Sequence, residues 1–239
     1  MKINTFSITA RCGRTGQLGV AVSTKVPAVG MLCPFVENNV GAVATQSFVN
    51  PYLGLWGLGY LRQGYSAEET LDLLAARDPG IQYRQLGIVD RQGRSAAFSG
   101  NQCDGWYGHR TGPNYAVAGN MLVGEDTVAA MEESFRATEG QRIQLAERLL
   151  MALDAGQRAG GDKRGRQSAA LKVYGLEAYP LLDLRVDEHL DPVAELIRVY
   201  AVAQESLVPL LNMLPTYDTP AGRFDMEESR RKGLLQDGR

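Results

Sequence analysis

The fold is first indicated by residues 3–24, which read INTFSITARCGRTGQLGVAVST. Polar and apolar side chains alternate over 3–11, so that hydroxyls share one face and apolar groups the other. A period of two predicts a β-strand. Residues 13–16 have the composition of a turn, and 17–24 alternate again. The stretch therefore predicts an antiparallel β-hairpin.

The remaining chain continues in blocks of strands and blocks of helices. Alternation predicts further strands near 31–36, 40–48, 83–90, 94–100, 114–121, 167–174 and 182–187. Helical spacing predicts helices over 51–63, from the capping box at Ser66 to Asp78, about 125–137, about 142–158 and from Asp191 onwards. The segment between 101 and 113 reads as a loop rich in Gly, Trp and His.

Strands in uninterrupted blocks favour antiparallel sheets over a parallel βαβ arrangement. Both faces of the predicted strands are apolar or small, so each sheet must be covered on both sides. The sequence therefore predicts an α+β fold of two stacked antiparallel sheets, with helices 51–76 on one outer face and 125–158 on the other. Residues 1–214 are predicted to form one domain, and 215–239 a polar tail.

The composition restricts the classes of function. The chain has 239 residues, 44% hydrophobic and 22% charged, with a net charge of −2. No basic stripe suits nucleic acid, and no apolar run approaches the roughly 20 residues that span a bilayer. Three cysteines do not form a secreted disulfide framework, and the N-terminus has no apolar signal core. We expect a cytoplasmic protein without nucleic-acid or membrane partners.

Familiar catalytic and metal motifs are missing. Only two histidines occur, which excludes a three-histidine zinc site, and there is no CxxC pair, P-loop or G-x-S-x-G motif. We therefore expect neither a metal nor another cofactor. A Ser-His-Asp triad would have to use one of the two. His189 lies in a charged turn and is interpreted as solvated. His109 either packs in its loop against backbone, the favoured interpretation, or lines a pocket.

Four places carry polar groups that composition alone does not explain. They are Thr5 with Ser7 on the first strand, Lys25 at the end of the second, the segment 45–50, and the turn 160–168. Each has an ordinary alternative: a polar strand face, a snorkelling lysine, a helix N-cap and a solvated turn. Together they indicate chemistry, because a hydroxyl at the head of a strand becomes a nucleophile when a nearby amine takes its proton.

In N-terminal nucleophile (Ntn) enzymes that amine is the nucleophile's own α-amino group, whose reference pKa of about 8 suits a base near neutral pH. A neighbouring lysine would lower the pKa of the amine by like charge. Backbone N–H groups or a side-chain amide such as Asn120 could then hold the oxyanion.

Several stretches of the chain resemble one bacterial family, the domain of unknown function 1028 (DUF1028), which is assigned to the Ntn hydrolase superfamily. The resemblance runs from about residue 3 to about residue 200. It is carried by TFSI at 5–8, LGVAV at 18–22, KVPAVG at 25–30, GAVATQS at 41–47, YRQLG at 83–87, GHRTG at 108–112, GNML at 119–122 and GGDKRGRQSAAL at 160–171.

The resemblance implies an αββα sandwich and, by superfamily analogy, hydrolysis of carbon–nitrogen amide bonds in a small molecule. Family members often begin Met-Thr-Phe-Ser, so that removal of methionine exposes the threonine. Here Lys2, Ile3 and Asn4 precede Thr5. Exposing Thr5 would need cleavage of the Asn4–Thr5 bond, and an unprocessed Thr5 would need Lys25 as its base.

The predicted catalytic residues are Thr5 as nucleophile, Lys25 as proton acceptor or pKa tuner, and Asn120 at the oxyanion. Residues predicted to bind the substrate are Ser7, Gln46, Asn50, His109, Asp162, Arg164 and Arg166, with Gln46 as the alternative oxyanion donor. Asp162, Arg164 and Arg166 would orient the base or bind a substrate carboxylate. At least one of them should be buried and bonded to the first strand or to 45–50, since unpaired burial costs about 1–3 kcal/mol.

Two other classes of function compete with the hydrolase. One is a non-catalytic protein that binds a small ligand on an Ntn-like fold, which the residues before Thr5 favour. The other is an oligomeric scaffold, since the long amphipathic helix after Asp191 and the polar tail could dock on a neighbouring subunit. We expect a homo-oligomer with a small-molecule substrate.

Overall fold

The computed structural model describes residues 5–223 and residue 231. Within them the chain divides into two compact units, with the boundary between Leu196 and Ile197. The first unit holds all the strands and four of the five described α-helices in full.

Six strands of the first unit form one antiparallel sheet in the order β10-β9-β2-β1-β8-β7. Their bounds are β1 Thr5–Arg11, β2 Leu18–Thr24, β7 Trp106–Gly112, β8 Tyr115–Leu122, β9 Ser168–Tyr174 and β10 Pro180–Val186. The predicted hairpin is β1–β2, and β1 lies at the centre of the sheet between β2 and β8.

Four strands form the second antiparallel sheet in the order β3-β4-β5-β6. Their bounds are β3 Pro34–Glu37, β4 Gly41–Ser47, β5 Arg84–Asp90 and β6 Ser95–Ser99. Between β2 and β3 the chain forms a short 3-10 helix, Val29–Met31, and a second one, Ile81–Tyr83, leads into β5.

One helix pair covers the outer face of each sheet. Helices α1 Pro51–Arg62 and α2 Ala67–Arg77 share an apolar core with the four-stranded sheet, formed by residues that include Val43, Leu53, Leu74, Leu86 and Ile88. Helices α3 Asp126–Ala137 and α4 Leu145–Arg158 cover the six-stranded sheet, where Phe6 lies against Gly156 and Met131. The predicted capping box starts α2: Ser66 accepts from Glu69 N, and Glu69 accepts from Ser66 N.

The layer between the sheets is apolar on one side and polar on the other. Val20 and Val22 of β2 pack against Ala42 and Ala44 of β4. The hydroxyl face of β1 points into the same layer, since Ser7 Oγ bonds to Gln46 of β4. The helix layers and sheets therefore stack as α, β, β, α.

The predicted αββα sandwich is confirmed, with helices 51–77 and 126–158 on opposite outer faces. The expectation of a loop over 101–113 is wrong, because Trp106–Gly112 pairs with β8 as an edge strand. Its glycines and aromatic residues do not give the alternation of polar and apolar side chains that predicts a strand. Edge strands are only half buried and need no regular apolar alternation.

The second unit contains most of helix α5, Pro192–Leu211, followed by turns. Apolar side chains such as Val202, Leu207 and Leu210 are exposed on this helix. Arg223 N donates to Met213 O at 3.0 Å beyond it. The proposed boundary at residue 214 stays a prediction, and most of 215–239 lies outside the described residues. No helix of the described ranges has the length and apolarity to cross a membrane.

Candidate functional site

Polar side chains collect at one end of the sandwich, where β1 begins and β2, β4 and β8 end. Thr5 is paired in register with Thr24 on one side and with Asn120 on the other. All three residues are buried, and Thr5 has no exposed surface. Antiparallel pairing brings a strand start beside two strand ends, which explains why these distant residues meet.

Gln85 is the centre of this polar group. Its Oε1 accepts from Gln46 Nε2 at 2.8 Å and from Asn120 Nδ2 at 3.0 Å. Its Nε2 donates to Ser99 Oγ at 2.8 Å, to the Gly108 carbonyl at 3.0 Å and to the Gly119 carbonyl at 2.7 Å. The side chain of Gln85 therefore joins both sheets through its amide, and a fully buried amide is stable only when it is satisfied in this way.

Gln46 connects this centre to the first strand. Ser7 Oγ donates to Gln46 Oε1 at 2.7 Å, and Gln46 Nε2 lies 3.4 Å from the Thr5 carbonyl oxygen. Asn120 Nδ2 lies 3.5 Å from the same carbonyl oxygen. The structure thus brings together four predicted site residues, Thr5, Ser7, Gln46 and Asn120.

Cys33 contacts the same polar group, but its thiol is unreactive. Its Sγ lies 4.0 Å from Gln46 Oε1. Complete burial raises the pKa of the Cys33 thiol to about 12, although a hydrogen bond with the Thr45 backbone opposes the shift. At neutral pH the thiol stays protonated and is a poor nucleophile.

His109 joins the network at its outer end. Its Nδ1 lies 2.9 Å from Ser99 Oγ, which in turn accepts from Gln85. The ring retains exposed surface, and the burial of the remainder lowers the pKa of His109 below its usual range. The expectation of a loop histidine bonded to backbone is therefore replaced by a strand histidine bonded to a serine.

Asp162 forms a second polar cluster next to the first. Its carboxylate is buried and accepts from Lys25 N at 3.1 Å and from Arg164 Nη2 at 2.9 Å. A backbone bridge joins Asp162 to Leu122 at the end of β8. The turn is thus more than a solvated helix end, as predicted. The partner it reaches is the end of β2 rather than the first strand or 45–50.

The side chains of Lys25 and Arg166 have partners outside the group around Thr5. The Lys25 ammonium donates to the Arg166 carbonyl oxygen at 3.0 Å. The Arg166 guanidinium pairs with Asp191 at 2.9 Å, and both side chains are exposed. Lys25 follows Thr24, the register partner of Thr5, so its backbone lies beside the start of β1.

Asn50 has a structural task. Its Oδ1 caps α1 by accepting from Tyr52 N at 3.1 Å, and its Nδ2 donates to Asp78 Oδ2 at 3.1 Å. Asp78 also pairs with Arg84 at 3.0 Å. Burial would raise the pKa of Asp78, but the hydrogen bonds from Arg84, Asn50 and Gly80 together lower it. For Asn50, the ordinary interpretation of the 45–50 segment as a helix N-cap is therefore the one that applies.

Left-handed backbone marks the same end of the sandwich. Ser47 and Met121, which follow Gln46 and Asn120 directly, have φ of 71° and 50°. Ala28, three residues after Lys25, has φ of 57°. Such conformations cost a non-glycine residue about 1–3 kcal/mol and tend to gather at functional sites. Both site amides thus sit next to a strained residue.

Gln85 and Ser99 were absent from the predicted site. A signal for Gln85 was present, since it is a polar residue on an otherwise apolar strand face that carries Gly87 and Val89. A buried amide at such a position needs partners. Ser99 gives no such signal, because a serine at the end of an edge strand is ordinary. Among the described residues no group of three or more His, Cys, Asp or Glu side chains could hold a metal ion.

Comparisons with known proteins place the chain in a family. The profile of a family of unknown function, DUF1028, matches residues 5–196. The chain belongs to this family. A crystal structure of another DUF1028 protein, SPO2555 from Silicibacter pomeroyi, is 30% identical with a TM-score of 0.84, and the match covers 93% of this chain and 100% of that one. No functionally curated protein matches.

The DUF1028 match begins at Thr5, the first residue of β1, and ends with the first compact unit. A more distant structure, Anbu (ancestral beta-subunit) from Yersinia bercovieri, is 14% identical with a TM-score of 0.39, over 88% of this chain and 98% of that one.

Proposed function

We propose that this DUF1028 protein is an Ntn-type amidohydrolase that cleaves an amide bond in a small molecule, with Thr5 as nucleophile. The observation that carries the proposal is the position of Thr5. It starts the central strand of one sheet, and its carbonyl oxygen lies within 3.5 Å of two side-chain amides, Gln46 and Asn120. A hydroxyl with amide donors beside it has the parts that acyl transfer requires.

The proposed reaction needs the α-amine of Thr5, which becomes available once the Asn4–Thr5 bond is cleaved. The amine takes the proton from Thr5 Oγ1 as the oxygen attacks the substrate carbonyl carbon, and the same proton passes to the leaving amine. Water then hydrolyses the Thr5 ester. Lys25 follows Thr24, the strand partner of Thr5. The positive charge of its ammonium would lower the pKa of the α-amine.

Asn120 is the proposed oxyanion donor. Its Nδ2 makes a firm bond to Gln85 Oε1 at 3.0 Å and a long one to the Thr5 carbonyl at 3.5 Å. The long bond is at the limit of hydrogen-bond length, so it can be exchanged for a developing oxyanion. Gln85 fixes the amide plane of Asn120 and Gln46, which reduces the reorganisation that catalysis would need.

The proposal is tested by intact mass spectrometry and N-terminal sequencing of the purified protein. We expect a chain that begins at Thr5 in the wild type and in Thr5→Ser, which keeps a hydroxyl. Thr5→Ala should keep residues 1–4. The processed protein should release amine from a panel of small amides, and Thr5→Ala should not. A wild-type chain that retains residues 1–4 and shows no turnover contradicts the proposal.

A second candidate is a non-catalytic protein that binds a small ligand. It is favoured by the full burial of Thr5, whose Oγ1 donates to Thr24 Oγ1 at 3.3 Å, and by the bond of the Lys25 ammonium to the Arg166 carbonyl. This candidate predicts an unprocessed chain that is stabilised by a small amide but does not change it. A shift of Tm without release of amine would distinguish it from the hydrolase.

A further inference from the structure

Ser99 and His109 meet where the two sheets close against each other. Ser99 ends β6, the edge strand of the four-stranded sheet, and His109 lies in the middle of β7, the edge strand of the six-stranded sheet. The two edges are also joined by Ser95 Oγ, which donates to the Gly112 carbonyl at 2.7 Å. The serine–imidazole contact of 2.9 Å joins two strands that are each paired with an inner neighbour, β6 with β5 and β7 with β8.

The hydrogen positions in this pair follow from Gln85. Its Nε2 faces the carbonyl oxygens of Gly108 and Gly119, which only accept, while its Oε1 receives the amide donors of Gln46 and Asn120. The orientation of the Gln85 amide is therefore determined. Nε2 can only donate, so Ser99 Oγ accepts from it at 2.8 Å, and its two hydrogens are shared among Ser99 Oγ and the two carbonyls.

When the imidazole carries its proton on Nε2, the Ser99 hydroxyl donates to His109 Nδ1. In this tautomer Nδ1 has a free lone pair, which is the form of the pair that can take the serine proton. Burial lowers the pKa of His109, so the ring is neutral and able to accept a proton at pH 7. Both side chains retain accessible surface, in contrast to Thr5.

We propose that Ser99 and His109 form a second reactive centre, a hydroxyl–imidazole pair that attacks activated acyl and phosphonyl groups reaching this edge of the sandwich. In the step, Ser99 Oγ forms a bond to the electrophilic carbon or phosphorus while its proton passes to His109 Nδ1. The bond to the leaving group breaks, and the leaving group departs with that proton. For an acyl compound, water then hydrolyses the serine ester.

This centre does not rest on the proposed role of Thr5, since it needs neither cleavage at Asn4–Thr5 nor a free α-amine. It lies at the outer end of the amide network, whereas Thr5 lies at the inner end. Gln85 serves it as a positioning residue, because its Nε2 donates to Ser99 Oγ and holds the hydroxyl beside the imidazole.

The test is covalent labelling of the full-length protein with an alkyl fluorophosphonate, which loses fluoride when a serine attacks phosphorus. We expect one adduct by intact mass, mapped to Ser99 by peptide mass spectrometry. Ser99→Ala should abolish the adduct. His109→Gln should slow labelling by at least about 100-fold, the usual minimum contribution of a general base.

Ser95→Ala is the matched control, because Ser95 lies on the same strand but donates to a backbone carbonyl instead of an imidazole. It should label at the wild-type rate. Circular dichroism melting of each variant verifies that it is folded. No adduct on the folded wild type, an adduct on another residue, or a Ser99 labelling rate that His109→Gln leaves unchanged would overturn the proposal.

Discussion

A single buried amide, Gln85, joins the two sheets at the site by hydrogen bonds to both. It makes five hydrogen bonds, which reach the side chains of Gln46, Asn120 and Ser99 and two backbone carbonyls. An apolar residue of similar size would fill the same space. It would also leave buried donors and acceptors without partners, and each of these costs about 1–3 kcal/mol.

We therefore expect Gln85→Leu to lower the free energy of unfolding by about 3 kcal/mol or more, measured by urea denaturation. The control is Gln92→Leu, at an exposed position in the turn between β5 and β6. It should change the free energy of unfolding by no more than about 0.5 kcal/mol. Equal stability of the two variants would show that the Gln85 network adds nothing to the fold.

At the scale of elements, helix α1 is placed by its glycines. Pro51–Arg62 carries Gly54, Gly57 and Gly59, which are poor helix formers. A Cβ on Gly54 would overlap the ring of Phe35 on β3, and one on Gly57 would lie 3.1 Å from Val43 on β4. A Cβ on Gly59 would meet no atom within 4 Å. Two of the three glycines therefore allow the helix to approach the sheet closely.

Gly54 and Gly59 of α1 should respond to alanine with opposite signs. Gly54→Ala should lower the free energy of unfolding by about 1–3 kcal/mol, because the overlap with Phe35 outweighs the gain in helix propensity. Gly59→Ala should raise it by up to about 1 kcal/mol, since only the propensity changes. Thermal or urea unfolding measures both. Stabilisation by Gly54→Ala would mean that α1 does not pack this closely.

At the scale of the whole molecule, the DUF1028 match and the first compact unit end at the same residue, 196. The part that the family profile matches is thus the sandwich with its candidate site. Beyond it, the described turns after α5 bond locally, as between Thr216 and Thr219.

We expect a chain that ends at Leu214 to keep the Tm of the full-length protein, measured by differential scanning calorimetry. The reason is that the sandwich has its own cores, one between a sheet and its helices and one between the two sheets. The predicted homo-oligomer is checked in parallel by light scattering of both chains. A clear fall in Tm for the shorter chain, with the same oligomeric state, would show that the tail stabilises the domain directly.

The sequence by itself determined the element order, the antiparallel sheets and the helix layers, because periodicity and turn composition are local properties. It also identified Thr5, Ser7 and Gln46 as polar groups that composition alone does not explain, and Asn120 as a candidate oxyanion donor. Burial of polar groups demands partners, and the demand can be read before the partners are known.

Only the tertiary structure decided which of these groups meet. Strand pairing brings Thr5 to Asn120 across 115 residues, and the stacking of two sheets brings Gln46 and Gln85 against them. It also turns Asn50 towards a helix cap, pairs Arg166 with Asp191, and makes His109 a strand residue beside Ser99. These outcomes depend on register and sheet packing, which are set by contacts between distant segments and leave no local pattern in the chain.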